Sequence, residues 1–230
     1  MKTALIFGAG SGISAAFAHR LHERGYRIAL AARNGDRLKA LAADVDAAVL
    51  TADAADSNSV AAAFGQLDQT FGHLDVVLYN AAQRVRGPIA ELDPAAVLQA
   101  IHVTAFGGFL VAQQAARRML AKGQGTIMFT GASASVKGYP ESATFAMGKF
   151  ALRGLAQSMA RELHPKGVHV AHFVIDGGVR NGERGRVEAA GAPDSLLDPG
   201  AIADSYIHVM EQPRSAWSWE IEVRPWTERF

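Results

Sequence analysis

The sequence predicts an α/β protein built on a doubly wound parallel sheet of seven strands with helices on both faces. Short apolar runs alternate along the whole chain with longer amphipathic stretches. Most runs carry several apolar residues in succession, which is typical of strands covered on both faces. This alternation implies parallel strands joined by right-handed crossovers. The length of 230 residues fits a single domain, residues 1–230.

Seven apolar runs predict the strands and six periodic stretches predict the helices. The strand candidates are residues 3–7, 27–32, 47–52, 74–79, 125–130, 168–175 and 219–223. The helical patterns cover residues 13–24, 35–43, 56–71, 94–121, 143–164 and 199–211. The last helix has a clear start, because Asp198 is a suitable N-cap and Pro199 suits the first helical position. Ligands of such sheets bind where the strands end, so we expect the functional residues just after strands.

The composition excludes several classes of protein. A net charge of +1 gives no long-range attraction for nucleic acid or for an acidic membrane surface. The absence of cysteine rules out disulfides, thiolate catalysis and zinc–thiolate sites, and it fits a reducing cytoplasm. The eight histidines show no metal-ligand grouping. The first apolar run is too short for a signal peptide, and no segment approaches the roughly 20 apolar residues of a membrane span. We therefore expect a soluble cytoplasmic protein without a metal site.

The first strand leads directly into the turn GAGSGIS, residues 8–14, and then into a helix. Glycines in such a turn permit positive φ and let the backbone approach a pyrophosphate at the helix N-terminus. The motif is also compatible with a simple tight turn, but its place after the first of seven strands favours dinucleotide binding. The expected contacts are Gly8, Ser11, Gly12 and Ile13.

This turn, together with YNAA at residues 79–82 and FAMGKFAL at residues 145–152, resembles the short-chain dehydrogenase/reductase family. The resemblance covers nearly the whole chain. It implies a Rossmann fold, an NAD(P)(H) cofactor and hydride transfer between a carbonyl and an alcohol. The family's turn usually reads Thr-Gly-x-x-x-Gly-x-Gly, whereas this chain has Phe7 for the Thr and Ser14 for the last Gly.

The end of the second strand favours NADP(H) over NAD(H). An NAD enzyme normally has Asp or Glu there to bind the ribose hydroxyls. This chain has Ala32 instead, followed by Arg33 and Asn34. A guanidinium can bind a 2′-phosphate bidentately, although Arg33 as a cap on a surface loop is the alternative.

The resemblance implies further cofactor contacts after the third and fourth strands. Asp53, next to Ala54, is the candidate for hydrogen bonding to the adenine amino group, and an ordinary loop aspartate is the alternative. Asn80 would steady the central sheet. Ala81 and Ala82 would border the adenosine ribose.

The segment FAMGK, residues 145–149, departs from the family at its most important position. The family usually has Tyr-x-x-x-Lys, in which the Tyr exchanges the substrate proton. The Lys lies on the same helical face, lowers the pKa of the Tyr and binds the nicotinamide ribose. Lys149 matches the Lys. Phe145 stands at the Tyr and has no proton to give.

Two more catalytic positions also differ from the family. Its usual serine falls by spacing on Ala132, with Ser133 one residue away. Ser133 is the candidate to hold the substrate oxygen, or it is a turn residue. The family's Asn, which supports a water near the Lys, falls on Thr104.

After the sixth strand, IDGGVRN resembles the family's Pro-Gly-x-Val-x-Thr, whose backbone lies against the nicotinamide carboxamide. Gly177 and Val179 match, and Asp176 replaces the Pro. Residues 178–198 are expected to form a mobile substrate lid. The tail, residues 217–226, carries all three tryptophans and suggests a subunit contact or a wall of the substrate pocket. The family's helices commonly pair across a dimer axis, so we expect a homodimer or homotetramer.

Two functions are compatible with this pattern. The first is an NADP(H)-dependent oxidoreductase that acts on a small-molecule carbonyl or alcohol with an altered proton-donor site. The second is a nucleotide-binding protein with little or no catalysis, serving as a redox sensor or an oligomeric partner. The retained Lys149 and the lid favour the enzyme.

Overall fold

A computed structural model describes residues 1–228 and confirms the predicted sheet. Seven parallel strands are arranged in the order β3-β2-β1-β4-β5-β6-β7. The strand order reverses beside β1, so the crevice expected for a ligand lies between the ends of β1 and β4. The strands are β1 Thr3–Phe7, β2 Arg27–Ala32, β3 Ala48–Thr51, β4 Val76–Tyr79, β5 Gly125–Thr130, β6 Val168–Ile175 and β7 Glu220–Val223.

Helices cover both faces of the sheet because successive side chains of each strand point to opposite sides. In β1, Leu5 and Phe7 pack into a core shared with α3, α5 and α6. Ala4 and Ile6 pack into a second core shared with α1, α2 and α7. The helices are α1 Ile13–Glu23, α2 Lys39–Asp44, α3 Ser57–Phe71, α4 Pro94–Ile101, α5 Gly107–Lys122, α6 Ala143–Leu163 and α7 Pro199–Met210.

The long helix predicted over residues 94–121 is divided in the structure. A π-helical turn, His102–Phe106, separates α4 from α5. The Tyr79 hydroxyl donates a hydrogen bond to the Val103 carbonyl inside this turn. Gly107 packs against the loop after β3, and a Cβ on it would be 2.6 Å from the Ala54 carbonyl oxygen. The apolar spacing hardly changes across the break, so the sequence pattern did not show it.

The same stretch corrects the expectation that no segment reaches the length of a membrane span. Pro94–Lys122 spans 29 residues, and its most apolar 18-residue window has a mean hydropathy of 1.7, so the stretch is long and apolar enough by length and composition. The π turn interrupts it, and 44% of its most apolar window is buried inside the fold. Val111, Ala115 and Met119 pack into the core beneath the sheet. We interpret the apolar character of this stretch as that of core helices.

Candidate functional site

The glycine turn between β1 and α1 brings the first strand against the end of β4. Gly8 has a φ of 82°, and a Cβ at this position would lie 2.3 Å from the Ala81 nitrogen. Only glycine fits so close to a neighbouring backbone. Gly12, with a φ of 87°, is the N-cap of α1. The turn therefore places the start of α1 directly above the ends of the two central strands.

The N-terminus of α1 differs from those of three other helices. Asp56, Asp93 and Asp198 cap α3, α4 and α7 with side-chain hydrogen bonds. Gly12 provides α1 with no side-chain cap, and no acidic residue lies in its first turn. The free amides and the positive end of the helix dipole suit a phosphate group. This end of the chain fits the pyrophosphate of a dinucleotide.

Ser14, which replaces a glycine of the family motif, is fully buried and hydrogen-bonded. Its Oγ accepts a hydrogen bond from Asn80 Nδ2 at 2.8 Å and donates one to the Gly8 carbonyl at 3.3 Å. Asn80 thus ties the end of β4 to the glycine turn. Asn181 Nδ2 also donates to the turn, at Ser11 Oγ over 3.2 Å. This contact joins residues 170 positions apart, so no local pattern in the sequence indicates it.

The end of β2 presents Arg33 to solvent. Within residues 1–228, Arg33 forms no ion pair. Asn34 is engaged in structure instead, because its side chain accepts a hydrogen bond from the Asp36 amide at 3.1 Å and caps a short 3₁₀ turn. Asp36 itself pairs with Lys39 at 2.8 Å. Arg33 is thus the residue at this strand end whose charged side chain is available to a ligand.

Asp53 follows β3 and is half-buried. Its Oδ1 accepts a hydrogen bond from the Ala55 amide at 2.9 Å, and its own amide donates to Ser59 Oγ at 2.9 Å. These bonds fix the loop and leave the second carboxylate oxygen for a ligand. Ala54 is buried against the start of α5, whereas Ala82, after β4, is exposed.

Lys149 lies inside the protein on α6. Its side chain is 3% exposed, and its Nζ donates a hydrogen bond of 2.6 Å to the Thr130 carbonyl at the end of β5. Burial lowers the pKa of Lys149 to about 7, and the charge of Arg84 contributes in the same direction. A lysine held in this way exchanges protons near neutral pH.

Phe145 lies one helical turn before Lys149 and packs with Ala132 and Ala134 in a small apolar cluster. The Lys149 Nζ is 5.7 Å from the centre of its ring, and the Arg84 guanidinium is 3.8 Å from it. Two cations therefore border a ring that carries no hydroxyl. Arg84 was not among the expected site residues, although it comes shortly after Asn80 and the end of β4.

The two other expected catalytic residues are placed differently. Thr104 is buried in the π turn, where its Oγ1 accepts a hydrogen bond from the Gln83 amide at 3.1 Å. Ser133 is half-buried at the first position of a 3₁₀ turn, Ser133–Ser135. Ala132, and not Ser133, shares the apolar cluster with Phe145. The turn itself is closed by Ser135, whose Oγ accepts from the Ala132 amide at 3.1 Å.

Beyond β6, Asp176 is buried and held by two cations. Its carboxylate lies 3.3 Å from Lys137 Nζ and 3.3 Å from Arg224 Nη2. Gly177 has a φ of 144°, and a Cβ there would lie 2.8 Å from Pro225 Cδ. The charge of Asp176 is therefore balanced by the loop after β5 and by the tail after β7.

The expected lid folds back on itself near the strand ends. Val179 pairs with Leu197 in an isolated β-bridge. Asn181 and Arg186 form a second bridge. Both bridges are internal to the segment, and the hydrogen bond from Asn181 to Ser11 links its start to the glycine turn.

The tryptophans of the tail occupy separate environments. Trp217 stacks on His169 with ring centres 4.6 Å apart. Trp219 lines a cavity of about 280 Å³ beside Gln157 and Arg161. That cavity lies two helical turns or more along α6 from Lys149. Trp226 is 81% exposed, so it is the tryptophan that is free for contact with another molecule.

The doubly wound sheet and the uncapped glycine turn at its switch point define a dinucleotide-binding α/β protein. The family model of the short chain dehydrogenases matches residues 2–182. The chain belongs to the short-chain dehydrogenase family.

Individual relatives agree with this assignment. An uncharacterized oxidoreductase of Staphylococcus aureus (strain N315) is 31% identical over 229 residues, which is 97% of each chain. A short-chain dehydrogenase from Rhodopseudomonas palustris superimposes with a TM-score of 0.83 at 35% identity and covers 98% of this chain and 99% of its own. An alcohol dehydrogenase from the archaeon Thermococcus sibiricus, complexed with 5-hydroxy-NADP, gives a TM-score of 0.89 at 25% identity over 100% of this chain and 98% of its own.

Proposed function

We propose that this single-domain protein, residues 1–230, is a cytoplasmic NADP(H)-dependent oxidoreductase. It transfers hydride to or from a carbonyl or alcohol and uses an altered proton-donor site. The observation that carries the proposal is the buried Lys149, whose amine is held at the strand ends. Burying a lysine ammonium without a carboxylate partner costs free energy. A lysine at this position is therefore better explained by a function than by the stability of the fold. Functional sites commonly contain groups with a pKa perturbed in this way.

The bound cofactor supplies or accepts the hydride, and the chain's own groups hold it in place. The main chain at Gly8, Ser11, Gly12 and Ile13 would bind the pyrophosphate. Arg33 would bind the 2′-phosphate and Asp53 the adenine. At the other end, Lys149 would bind the nicotinamide ribose, and the backbone of residues 176–179 would lie against the carboxamide. The complex of the Thermococcus sibiricus relative with 5-hydroxy-NADP supports the preference for NADP(H).

The proton requires another source, because Phe145 replaces the usual Tyr. Losing a general acid costs about 10²–10⁴ in rate. Ser133 or an ordered water would deliver the proton in its place. Lys149, with its pKa lowered to about 7 by burial, is suited to exchange protons with such a water.

One observation favours the second function, a nucleotide-binding protein with little catalysis. Ala132 and Phe145 stand where the family usually has Ser and Tyr, and both belong to one apolar cluster. Two hydroxyls that normally contact the substrate are thus replaced together. A redox sensor or an oligomeric partner would retain the cofactor end and lose this pair.

The cofactor is tested by fluorescence titration with NADPH and NADH. We expect NADPH to bind more tightly. Arg33→Ala should weaken NADPH binding by about 10-fold or more, since it removes a charge-assisted hydrogen bond, and should change NADH binding little. The matched control is Arg117→Ala, an exposed arginine on α5. Equal losses for both nucleotides would contradict the assignment of Arg33, and binding of neither would contradict both functions.

Catalysis is tested by a screen of carbonyl substrates with the wild type, Phe145→Tyr and the double variant Ala132→Ser with Phe145→Tyr. Turnover by the wild type supports the oxidoreductase. Tight NADPH binding without turnover by the wild type, together with activity in the double variant, would support the nucleotide-binding protein instead.

A further inference from the structure

Arg84 lies against the ring of Phe145, and Arg86 and Arg186 lie near enough to Arg84 for their charges to act on it. The Arg84 guanidinium lies 3.8 Å from the centre of the Phe145 ring. Burial and then the positive charges of Arg86 and Arg186 lower the pKa of Arg84. Arg86 and Arg186 are therefore close enough to Arg84 for their charges to disfavour its protonated form.

Both loops that carry these arginines are held in place by hydrogen bonds. In the loop after β4, the Gln83 amide donates to Thr104 Oγ1 at 3.1 Å, and the Gly87 amide donates to the Glu141 carbonyl at 3.2 Å. Arg84 and Arg86 lie between these two anchor points.

Arg186 is fixed in a comparable way on the segment after β6. Its backbone exchanges hydrogen bonds with Asn181 at 2.8 and 2.9 Å. Its Nη1 donates to the Val179 carbonyl at 3.4 Å. Its side chain thus extends along the segment that we assign to the nicotinamide carboxamide.

No carboxylate balances this charge among residues 1–228. None of the three arginines forms an ion pair there. The carboxylate of Asp176 is already held by Lys137 and Arg224. Clustered, uncompensated cations in a cleft attract an anion and raise its local concentration.

In the proposed function, the phosphates of the cofactor bind elsewhere, at the uncapped start of α1 and at Arg33. The remaining ligand at the Phe145 end is the substrate. Resting on the proposed function, we propose that the substrate is a carbonyl compound that carries a carboxylate or phosphate group. Arg84 binds this group, with Arg86 and Arg186 supporting it, because a planar guanidinium binds such oxyanions bidentately. Arg84 thereby positions the substrate where the family's Tyr would otherwise have done so.

Binding is tested first, without turnover, by calorimetric titration of the protein saturated with NADP⁺. The probes are benzoate, phenyl phosphate and the neutral benzamide. We expect at least one of the two anions to bind about 10-fold or more tightly than benzamide, and Arg84→Gln to abolish this difference. Arg117→Gln on α5 is the control and should leave it unchanged. Equal binding of all three probes, or full retention of anion binding in Arg84→Gln, would overturn the proposal.

Turnover is then measured with benzoylformate and its methyl ester, which differ in charge. Arg84→Gln should lower kcat/KM for the acid by about 10- to 100-fold and for the ester by far less. Arg84→Lys should recover part of the loss, because lysine keeps the positive charge but cannot bind an oxyanion bidentately. Similar losses for acid and ester would overturn the proposal.

The two proposals fail separately. Anion binding that depends on Arg84, in a protein that reduces no carbonyl compound of the substrate screen, supports the anion site and contradicts the oxidoreductase. Reduction of neutral carbonyls with no preference for anions contradicts the anion site alone. The circular dichroism spectrum and NADPH binding of each variant establish that it is folded.

Discussion

Lys149 makes the stability of the cofactor-free protein depend on pH in a definite direction. In the unfolded chain its pKa is near the ordinary value of 10.5, and burial lowers it to about 7 in the folded protein. Between these two values the unfolded state binds more protons, so the free energy of unfolding rises with pH from this group. Below pH 7 the full cost of burying the ammonium is present.

Lys149→Met is therefore expected to stabilise the cofactor-free protein by several kcal/mol at pH 6 and by much less at pH 9.5. Urea unfolding of the wild type and of Lys149→Met at both pH values measures the difference in their free energies of unfolding. The other titratable groups are the same in both proteins, so their contributions cancel in this difference. Lys39→Met, at a side chain that is 76% exposed, is the control and should have little effect at either pH. A stability difference that does not change with pH would contradict the lowered pKa.

Single residues also show where the sequence was sufficient and where it was not. The glycine turn was singled out by its place after the first strand, and Lys149 by the match of FAMGKFAL to the family pattern. The contact of Ser14 with Asn80 was not predicted, since it joins residues 66 positions apart. Arg84 was missed for the same reason, because its importance depends on the ring of Phe145 on another element.

Helix α6 is adapted to the π turn at one position. Gly148 faces Thr104, and a Cβ on it would lie 2.9 Å from the Thr104 Cβ. Both residues are buried, so neither side can easily move away. The alternation of strands and helices in the sequence predicted α6. The close contact between Gly148 and Thr104 could not be predicted, because it depends on how α6 and the π turn pack in the folded protein.

Gly148→Ala is expected to destabilise the protein by about 1–3 kcal/mol, because overpacking outweighs the gain in helix propensity. Gly154→Ala is the matched control on the same helix, where no atom lies within 4 Å of the added Cβ. It should stabilise the protein by about 0.5–1 kcal/mol. Chemical denaturation measures both changes, and equal effects of the two substitutions would contradict the proposed packing.

The whole chain was predictable to the level of the sheet, because apolar runs and glycine turns report which residues are buried and where strands end. The division of residues 94–121 was not, because a π turn preserves the apolar pattern while a buried hydroxyl holds it in place. The assignment of residues 178–198 to a substrate lid, made from their position and their Gly, Arg and Glu content, stays a prediction. The bridges of this segment to Leu197 and within Asn181–Arg186 depend on backbone pairing that composition does not encode.

The surface around α4 to α6 leads to an expectation about assembly. Six exposed apolar side chains lie on these elements, and five of them form the surface considered for assembly: Leu98, Phe106, Phe109, Met147 and Phe150, with Leu120 near the end of α5 as the sixth. The spacing of three residues places Phe106 with Phe109, and Met147 with Phe150, on common helical faces, and the Phe106 and Phe109 rings lie 6.0 Å apart. Exposed apolar patches of this kind commonly mark interfaces. We therefore expect a homodimer or homotetramer that buries this surface.

Light scattering coupled to size exclusion should give a multiple of the 24.4 kDa chain for the wild type. Phe109→Asp with Phe150→Asp should shift the mass toward the monomer, because a buried carboxylate in an apolar interface is costly. Trp226→Asp tests the tail separately, since this tryptophan is 81% exposed. A shift caused by Trp226→Asp alone would place the contact at the tail, and a monomeric wild type would contradict both surfaces. In a dimer built on the helices, the interface would lie on the outer side of α6 while Lys149 remains on its buried side, so the double variant should retain NADPH binding.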